Sequence, residues 1–373
     1  MPRLTLYPLG NADCCLIDLD GGEKIIFDYA NVRCKDDSND LRIDLEKAIR
    51  DDLAKAKRKD VNVFAITHLD NDHICRSSEL FWLEHASKYQ SDDRIKIGEL
   101  WVPACVIIED GLVDEGRAWR QEARHRLRQG KGIRVFSRPE VLKQWIEKEK
   151  LDFEKLKHLF VDAGKLVPTF TLQSHGAEFF VHSPFASRLD DGSLMDRNTD
   201  GIFVQATFDV AGVKTRLMLG ADADYEVLSA IVDITKQRKR TERLKWDVFK
   251  LPHHCSYLSL GPDKGKDETK PVDQVKELYE THGQKGGIIV STSKPVPTAG
   301  DDVQPPHRQA GAYYKRITGF DGLKGEFKVT MNHPNATSPK PLIIEIDATK
   351  ARIKAALAGG AGGLTGGAAP RAG

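Results

Sequence analysis

An apolar run that stops on four costly side chains limits what this chain can become. Val61-Asn62-Val63-Phe64-Ala65-Ile66 has the β-branched and aromatic make-up of a buried strand, and Thr67-His68-Leu69-Asp70-Asn71-Asp72-His73 follows at once. Left unpaired at the end of a core strand, each of those imidazoles and carboxylates would cost several kcal/mol, whereas one divalent cation answers them together. The plainer reading is a surface turn in which Asp72 caps the next helix, but a cap needs a single acidic or hydroxyl residue. The spacing therefore predicts a metal site with His68, Asp70, Asp72 and His73 as ligands, in donor types that suit Zn²⁺, Mn²⁺ or iron.

The rest of such a ligand shell should lie at other strand ends. Arg216-Leu217-Met218-Leu219-Gly220-Ala221-Asp222 is an apolar run ending in an aspartate, and Val248-Phe249-Lys250-Leu251-Pro252 leads into His253-His254-Cys255-Ser256. Either alone is weak, because strand-end aspartates form turns and histidine pairs are often structural. Three such ends in one chain make a constellation, and Asp222, His253 and His254 join the candidate ligands.

Further strand-like runs alternate with helical stretches at about 41–57, 78–89 and 110–158, which favours an α/β architecture. The chain has 373 residues and is 40% hydrophobic, so it can bury a large core. Its formal net charge of +1 supplies no bulk field toward DNA or a membrane. No run approaches the ~18 apolar residues of a spanning helix, and the N-terminus lacks a signal-like apolar stretch, so a cytoplasmic protein is expected. Six cysteines without a C-x-x-C pair read as reduced, and Cys75 and Cys255, beside the histidine motifs, read first as small apolar filler. The final stretch, 351–373, is rich in glycine and alanine and reads as a flexible tail.

Together the motifs resemble the metallo-β-lactamase superfamily, whose H-x-[HD]-x-D-H signature His68 to His73 matches with aspartate at the third position. Within it, the likeness is greatest to the soluble domain of bacterial DNA-uptake (competence) channel proteins and their stand-alone relatives. The counterparts are Gly10-Asn11-Ala12-Asp13, Phe27-Asp28-Tyr29-Ala30, Gly220-Ala221-Asp222-Ala223-Asp224, His253-His254-Cys255-Ser256 and Pro306-His307. Ala12, Ala30 and Cys255 stand where glycines are usual, and an extra alanine precedes Asp222, which keeps Asp224 open as a substitute. The resemblance covers about residues 3–320 and implies an αββα sandwich, which is expected to fill residues 1–350 with 110–158 as a helical elaboration. It implies two divalent metal ions, Zn²⁺ or Mn²⁺: Asp222 bridging, Asp72 and His73 on one, His68 and Asp70 on the other, and one of His253 and His254 completing the shell. Asp70, Asp72 and His307 are the expected catalytic residues, and Asp13 and Asp28 are expected to hydrogen-bond ligands from behind.

Two metals a few ångströms apart would make a hydrolase acting through an activated water. Basic segments give the only hint of substrate. The stretch Arg117 to Arg138 carries eight Lys/Arg against one Glu, and Lys236-Gln237-Arg238-Lys239-Arg240-Thr241-Glu242-Arg243-Leu244-Lys245 precedes the histidine strand. They favour a phosphate-containing substrate, a nucleic acid or nucleotide, and so a phosphodiesterase or nuclease. Hydrolysis of another ester or amide bond, or a non-catalytic metal-binding subunit that docks a protein partner, are the alternatives.

Overall fold

The computed structural model describes residues 1–186, 190, 196–300 and 303–355. Its strands sort their side chains by alternation. In β4 (Asp60–Ala65), Val63 and Ala65 face one apolar layer and Phe64 another; in β10 (Val213–Gly220), Leu217 and Leu219 face inward and Met218 outward. Strands apolar on both faces need cover on both sides, and the chain supplies it as helices outside and a second sheet inside.

Among the described residues the first sheet has the order β15-β14-β1-β2-β3-β4-β5-β6-β7 and the second β13-β12-β11-β10-β9-β8. In the first, β1 is Arg3–Leu6, β2 Cys15–Asp18, β3 Lys24–Phe27, β5 Lys96–Pro103, β6 Ile133–Phe136, β7 Phe160–Val161, β14 Leu342–Ile346 and β15 Ala351–Ile353. In the second, β8 is Ala177–Ser183, β9 Phe203–Val210, β11 Trp246–Lys250, β12 Gly283–Ser291 and β13 Glu326–Val329. Leu6, Ile17, Phe27 and Trp101 of the first sheet share one buried layer with Phe179, Val204, Leu219 and Val290 of the second. The helices Leu45–Lys55 and Asp114–Gln129 cover the outer face of the first sheet, and Tyr225–Gln237 and Arg308–Thr318 that of the second. This is the expected αββα sandwich.

Three details differ from the sequence reading. The 110–158 segment is not only helical: between Asp114–Gln129 and Glu140–Lys148 it gives β6, which pairs in parallel with β5 and β7. The helix expected over 78–89 is a single turn, Ser77–Leu80, because the Arg94 guanidinium takes the carbonyls of Ser78 and Phe81 that further turns would use. The tail does not begin at 351: Ala351–Ile353 pairs antiparallel with β14, and 356–373 lies outside the described residues. No helix among the described residues is long and apolar enough to cross a membrane.

β3, β4 and β5 run parallel, as do β10, β11 and β12, so their C-terminal ends gather at one edge of the sandwich. The motifs sit on those ends.

Candidate metal centre

His73 lies in the short helix Asn71–Ile74 just beyond β4, and its Nδ1 donates to Asp28 Oδ2 at 2.8 Å. Asp28 follows β3 and is held at φ 55°, where its Oδ1 accepts the Thr67 N–H (2.7 Å) and its Oδ2 the Thr67 hydroxyl (2.7 Å). Since that hydroxyl spends its proton on Asp28, its 3.1 Å contact with His68 must be an Nδ1–H donating to the oxygen. His254 repeats the pattern: its Nδ1 lies 2.8 Å from the Thr292 carbonyl and can only donate to it. Three imidazoles thus have Nδ1 committed behind them and turn Nε2 toward the edge between the sheets. Metal-binding histidines are held this way.

The turn that carries His254 is unusual. His253, His254 and Cys255 all have positive φ, 49°, 51° and 68°, and such strain in residues other than glycine gathers at functional sites. The turn aims the His253 N–H at Asp222 Oδ1 (3.0 Å) and brings His254 Nε2 to 3.0 Å from Asp72 Oδ2 and 3.7 Å from Asp222 Oδ2. His73 Nε2 is 3.4 Å from Asp222 Oδ1. Asp13, whose N–H bonds the Asp72 carbonyl at 2.8 Å, completes the group. One donor atom each from Asp13, His73, Asp222 and His254 lie within 4.8 Å of one another, and all four residues are buried. They could hold a metal ion.

Buried polar atoms without a hydrogen-bond partner argue that these residues fit one. Among the described residues, His68 Nε2, His73 Nε2 and Asp13 Oδ1 are all in this state. The charges agree. Burial would raise Asp222, but the His73 and His254 imidazoles hold it well below the carboxylate range. Burial opposes protons on His73 and His254, and Asp222 with its neighbours overrides it and raises both. Two protons, or one divalent cation, meet the same electrostatic demand. His68 differs: burial and the nearby His73 push it down to about 4, so it stays neutral.

The other expected residues fall around this core. Asp72 and Asp70 are the carboxylates that reach solvent, at 36% and 37% exposure. Asp70 faces His68, with Oδ2 3.6 Å from His68 Nε2, while its Oδ1 accepts Arg197 Nη1 at 2.7 Å. Asp13 lies nearer than expected, among the converging donors, whereas Asp28 stands behind His73 and Thr67. Of the histidine pair, His254 enters the group and His253 gives its backbone N–H. Asp224 is used elsewhere, as the N-cap of Tyr225–Gln237, accepting Val227 N–H at 2.9 Å. His307 packs behind the strained turn: its N–H bonds the Cys255 carbonyl, its Nδ1 accepts Tyr257 N–H at 3.3 Å, and its ring stands edge-on to Tyr257. Cys255 is fully buried, its thiol pushed up to about 12 by burial, and acts as filler.

Lys250 escaped the sequence reading. Its ammonium sits between Asp13 Oδ2 and the Gly220 carbonyl, and burial, which should strip its proton, is outweighed by Asp13 and Asp222. Arg197 escaped as well. It bonds Asp70 on one side and Glu109 on the other, at 2.5–3.2 Å. The signal for Lys250 was present, since alternation in Val248-Phe249-Lys250 puts it on the inward face with Val248. Nothing local marks Arg197.

The basic segments are largely occupied. Arg126 is buried against Glu122 and backbone carbonyls, Arg128 pairs with Glu149, Arg134 with Glu99 and Arg138 with Asp162. The 240–245 stretch crosses the outer face of the second sheet, where Arg243 bonds Glu178 and the Arg243 carbonyl accepts His182 Nε2 and Gln205 Nε2. Beside it, a cleft of about 500 Å³ opens between β8 and the Tyr225–Gln237 helix, lined by Phe180, Ile231, Lys165 and Arg238. That face is the opposite side of the sheet from the between-sheet layer that the candidate metal centre closes.

No family model matches the chain, and no curated protein matches it. Among solved structures it is similar to a diphosphatase from the PhnP family (10% identity, 93% of this chain and 98% of that one, TM-score 0.38). It is also similar to the metallo-β-lactamase fold protein YhfI from Bacillus subtilis (8%, 92% and 99%, TM-score 0.36). A third is the class B3 di-zinc metallo-β-lactamase LRA-12 from an Alaskan soil metagenome (12%, 74% and 93%, TM-score 0.33). The αββα layering stands on the chain's own strand order, and the candidate metal centre on its own distances.

Proposed function

We propose that the chain is a metal-dependent hydrolase of phosphoesters, with phosphodiesters the first to test. The observation that carries this reading is the shared orientation of His68, His73 and His254, whose Nδ1 atoms are all committed and whose Nε2 atoms face one buried, acidic edge. An ion held by His73, His254, Asp222 and Asp13 would supply Lewis acidity and lower the pKa of a coordinated water toward neutrality.

The chain's own residues do the rest. Asp28 and Thr292 fix the tautomers, and Lys250 holds Asp13 ionised and in place. Asp72 reaches solvent and can take a proton from an attacking water and return it to the leaving oxygen. A donor set richer in carboxylates than a three-histidine site suits hard ions such as Mn²⁺ alongside Zn²⁺, and such ions partner phosphate oxygens. The motif likeness to the DNA-uptake domain makes a nucleic-acid strand one candidate substrate. The internal pairing of the Arg117–Arg138 guanidinium groups favours a compact phosphate ester instead.

A panel decides it: bis-p-nitrophenyl phosphate, p-nitrophenyl acetate and a single-stranded oligonucleotide, each with Mn²⁺, Zn²⁺ or EDTA. Metal-dependent turnover of the phosphodiester, absent with EDTA, is expected. Turnover of the acetate alone, or none with any ion, overturns the reading.

A further inference from the structure

The metal centre has two unequal halves. Asp13, His73, Asp222 and His254 converge, while His68 and Asp70 stand beside them as a pair. The contact within that pair is chemically incomplete. His68 Nδ1 donates to Thr67, so its Nε2 carries a lone pair, and that nitrogen is fully buried without a hydrogen-bond partner among the described residues. It faces Asp70 Oδ2 at 3.6 Å, an acceptor facing an acceptor, too far apart for a strong hydrogen bond. Such an arrangement calls for a cation between them.

The charge of Asp70 is nonetheless already met. Arg197 Nη1 donates to Asp70 Oδ1 at 2.7 Å, and its Nε and Nη2 are anchored on Glu109 at 2.9 and 2.5 Å. Asp70 makes no side-chain cap to the helix it precedes, and the guanidinium is the one hydrogen-bonded partner of its carboxylate among the described residues. Glu109 leaves the end of the Ala104–Ile108 helix and Arg197 precedes β9, so two separate parts of the chain place this cation at the rim. A planar, permanently charged group with a fixed fork is a strong competitor for a carboxylate.

We propose that Arg197 sets the metal stoichiometry: its guanidinium competes with a second divalent ion for Asp70, so the chain binds one ion tightly and a second, between His68 and Asp70, only weakly. This rests on the metal-dependent reading above and deepens it. An anionic substrate that draws Arg197 off Asp70 would free the carboxylate for the second ion, linking substrate arrival to completion of the centre.

The test is calorimetric titration of metal-stripped protein with Mn²⁺ and with Zn²⁺, checked by metal content after dialysis. Wild type should show one tight and one weaker ion. Arg197→Gln should tighten the second by roughly tenfold or more, the scale on which a ligand's outer partners tune metal affinity, and leave the first unchanged. Arg197→Lys, which keeps the charge but loses the fork, should fall between. His68→Gln should abolish the second ion and spare the first, with thermal melts confirming that each variant folds. Two equally tight ions in wild type, or no change of the second in Arg197→Gln, overturns the proposal. Failure of wild type to bind any ion overturns the metal-dependent reading itself, which is a different result.

Discussion

Asp28 holds the strained φ of 55° and accepts three hydrogen bonds, two from Thr67 and one from His73, while burying its whole carboxylate. Asn in its place offers one acceptor oxygen and turns an NH₂ donor toward other donors. Asp28→Asn should therefore lower affinity for the first ion by about 10–100-fold, as loss of an imidazole's carboxylate partner does, with the ion still bound at saturation. Asp222→Asn should act more severely, abolishing turnover and tight ion binding, because this carboxylate lies within 4 Å of both imidazoles. Calorimetry on the two variants separates these effects. Residues of this kind were legible where they ended an apolar run, as His68, His73, Asp222 and His254 do. Lys250 was not, because a lysine reads as surface until the alternation of its strand is used to turn it inward. Arg197 was hidden because its partners, Asp70 and Glu109, are 127 and 88 positions away.

Among the elements, the Asp114–Gln129 helix looked in sequence like a charged surface and proved to be a buried one. Glu122 and Arg126 are fully buried and bonded at 2.7 Å, and His85 adds a 3.0 Å bond to the same carboxylate. Four residues apart on one helix face, such a pair is usually solvated, and only packing against β5 and the 80–85 segment takes it out of water. Burial would raise Glu122, but the bonds from His85 and Arg126 lower it from 4.5 to about 2. A depressed carboxylate stabilises fully above its unfolded pKa and loses that contribution as pH falls through the folded one. Glu122→Gln should cost about 3 kcal/mol near neutral pH by leaving the buried Arg126 with only the partly exposed Glu84, 3.3 Å away, as counter-charge. The wild type should lose this advantage between about pH 5 and 2. Denaturant melts of both proteins across that range check it; a difference that does not shrink on acidification contradicts the assignment. The end of the chain teaches a similar lesson, since three residues, Ala351-Arg352-Ile353, form β15 where composition suggested tail. Truncation after Lys350 should therefore lower the melting temperature by a few degrees relative to truncation after Ala355, the shift expected of about 1 kcal/mol in a chain this long. Alternation over three residues is too short to stand out beside a glycine-rich run.

At the scale of the molecule, the sandwich has a chemical edge and faces that serve packing, and charge does not map onto them simply. The 236–245 basic stretch precedes β11 in sequence, and that nearness suggested a role at the histidine turn. In space it crosses the outer face of the second sheet beside the Tyr225–Gln237 helix. Reversing Arg238, Lys239 and Arg240 to glutamate should therefore leave turnover of a small phosphodiester within about twofold, since exposed charges beyond a Debye length are largely screened. A loss of tenfold or more would return that stretch to the substrate path. The layer order was legible because strand and helix runs alternate so regularly; the partition of charge was not, because pairing across the fold decides which cations are free. Anomalous diffraction tests the central claim, that the acidic edge is a metal centre. Crystals grown with Mn²⁺ or Zn²⁺ and measured at the absorption edge should show a peak within bonding distance of His73 Nε2, His254 Nε2 and Asp222. No peak there, or one only on surface carboxylates, would contradict the account.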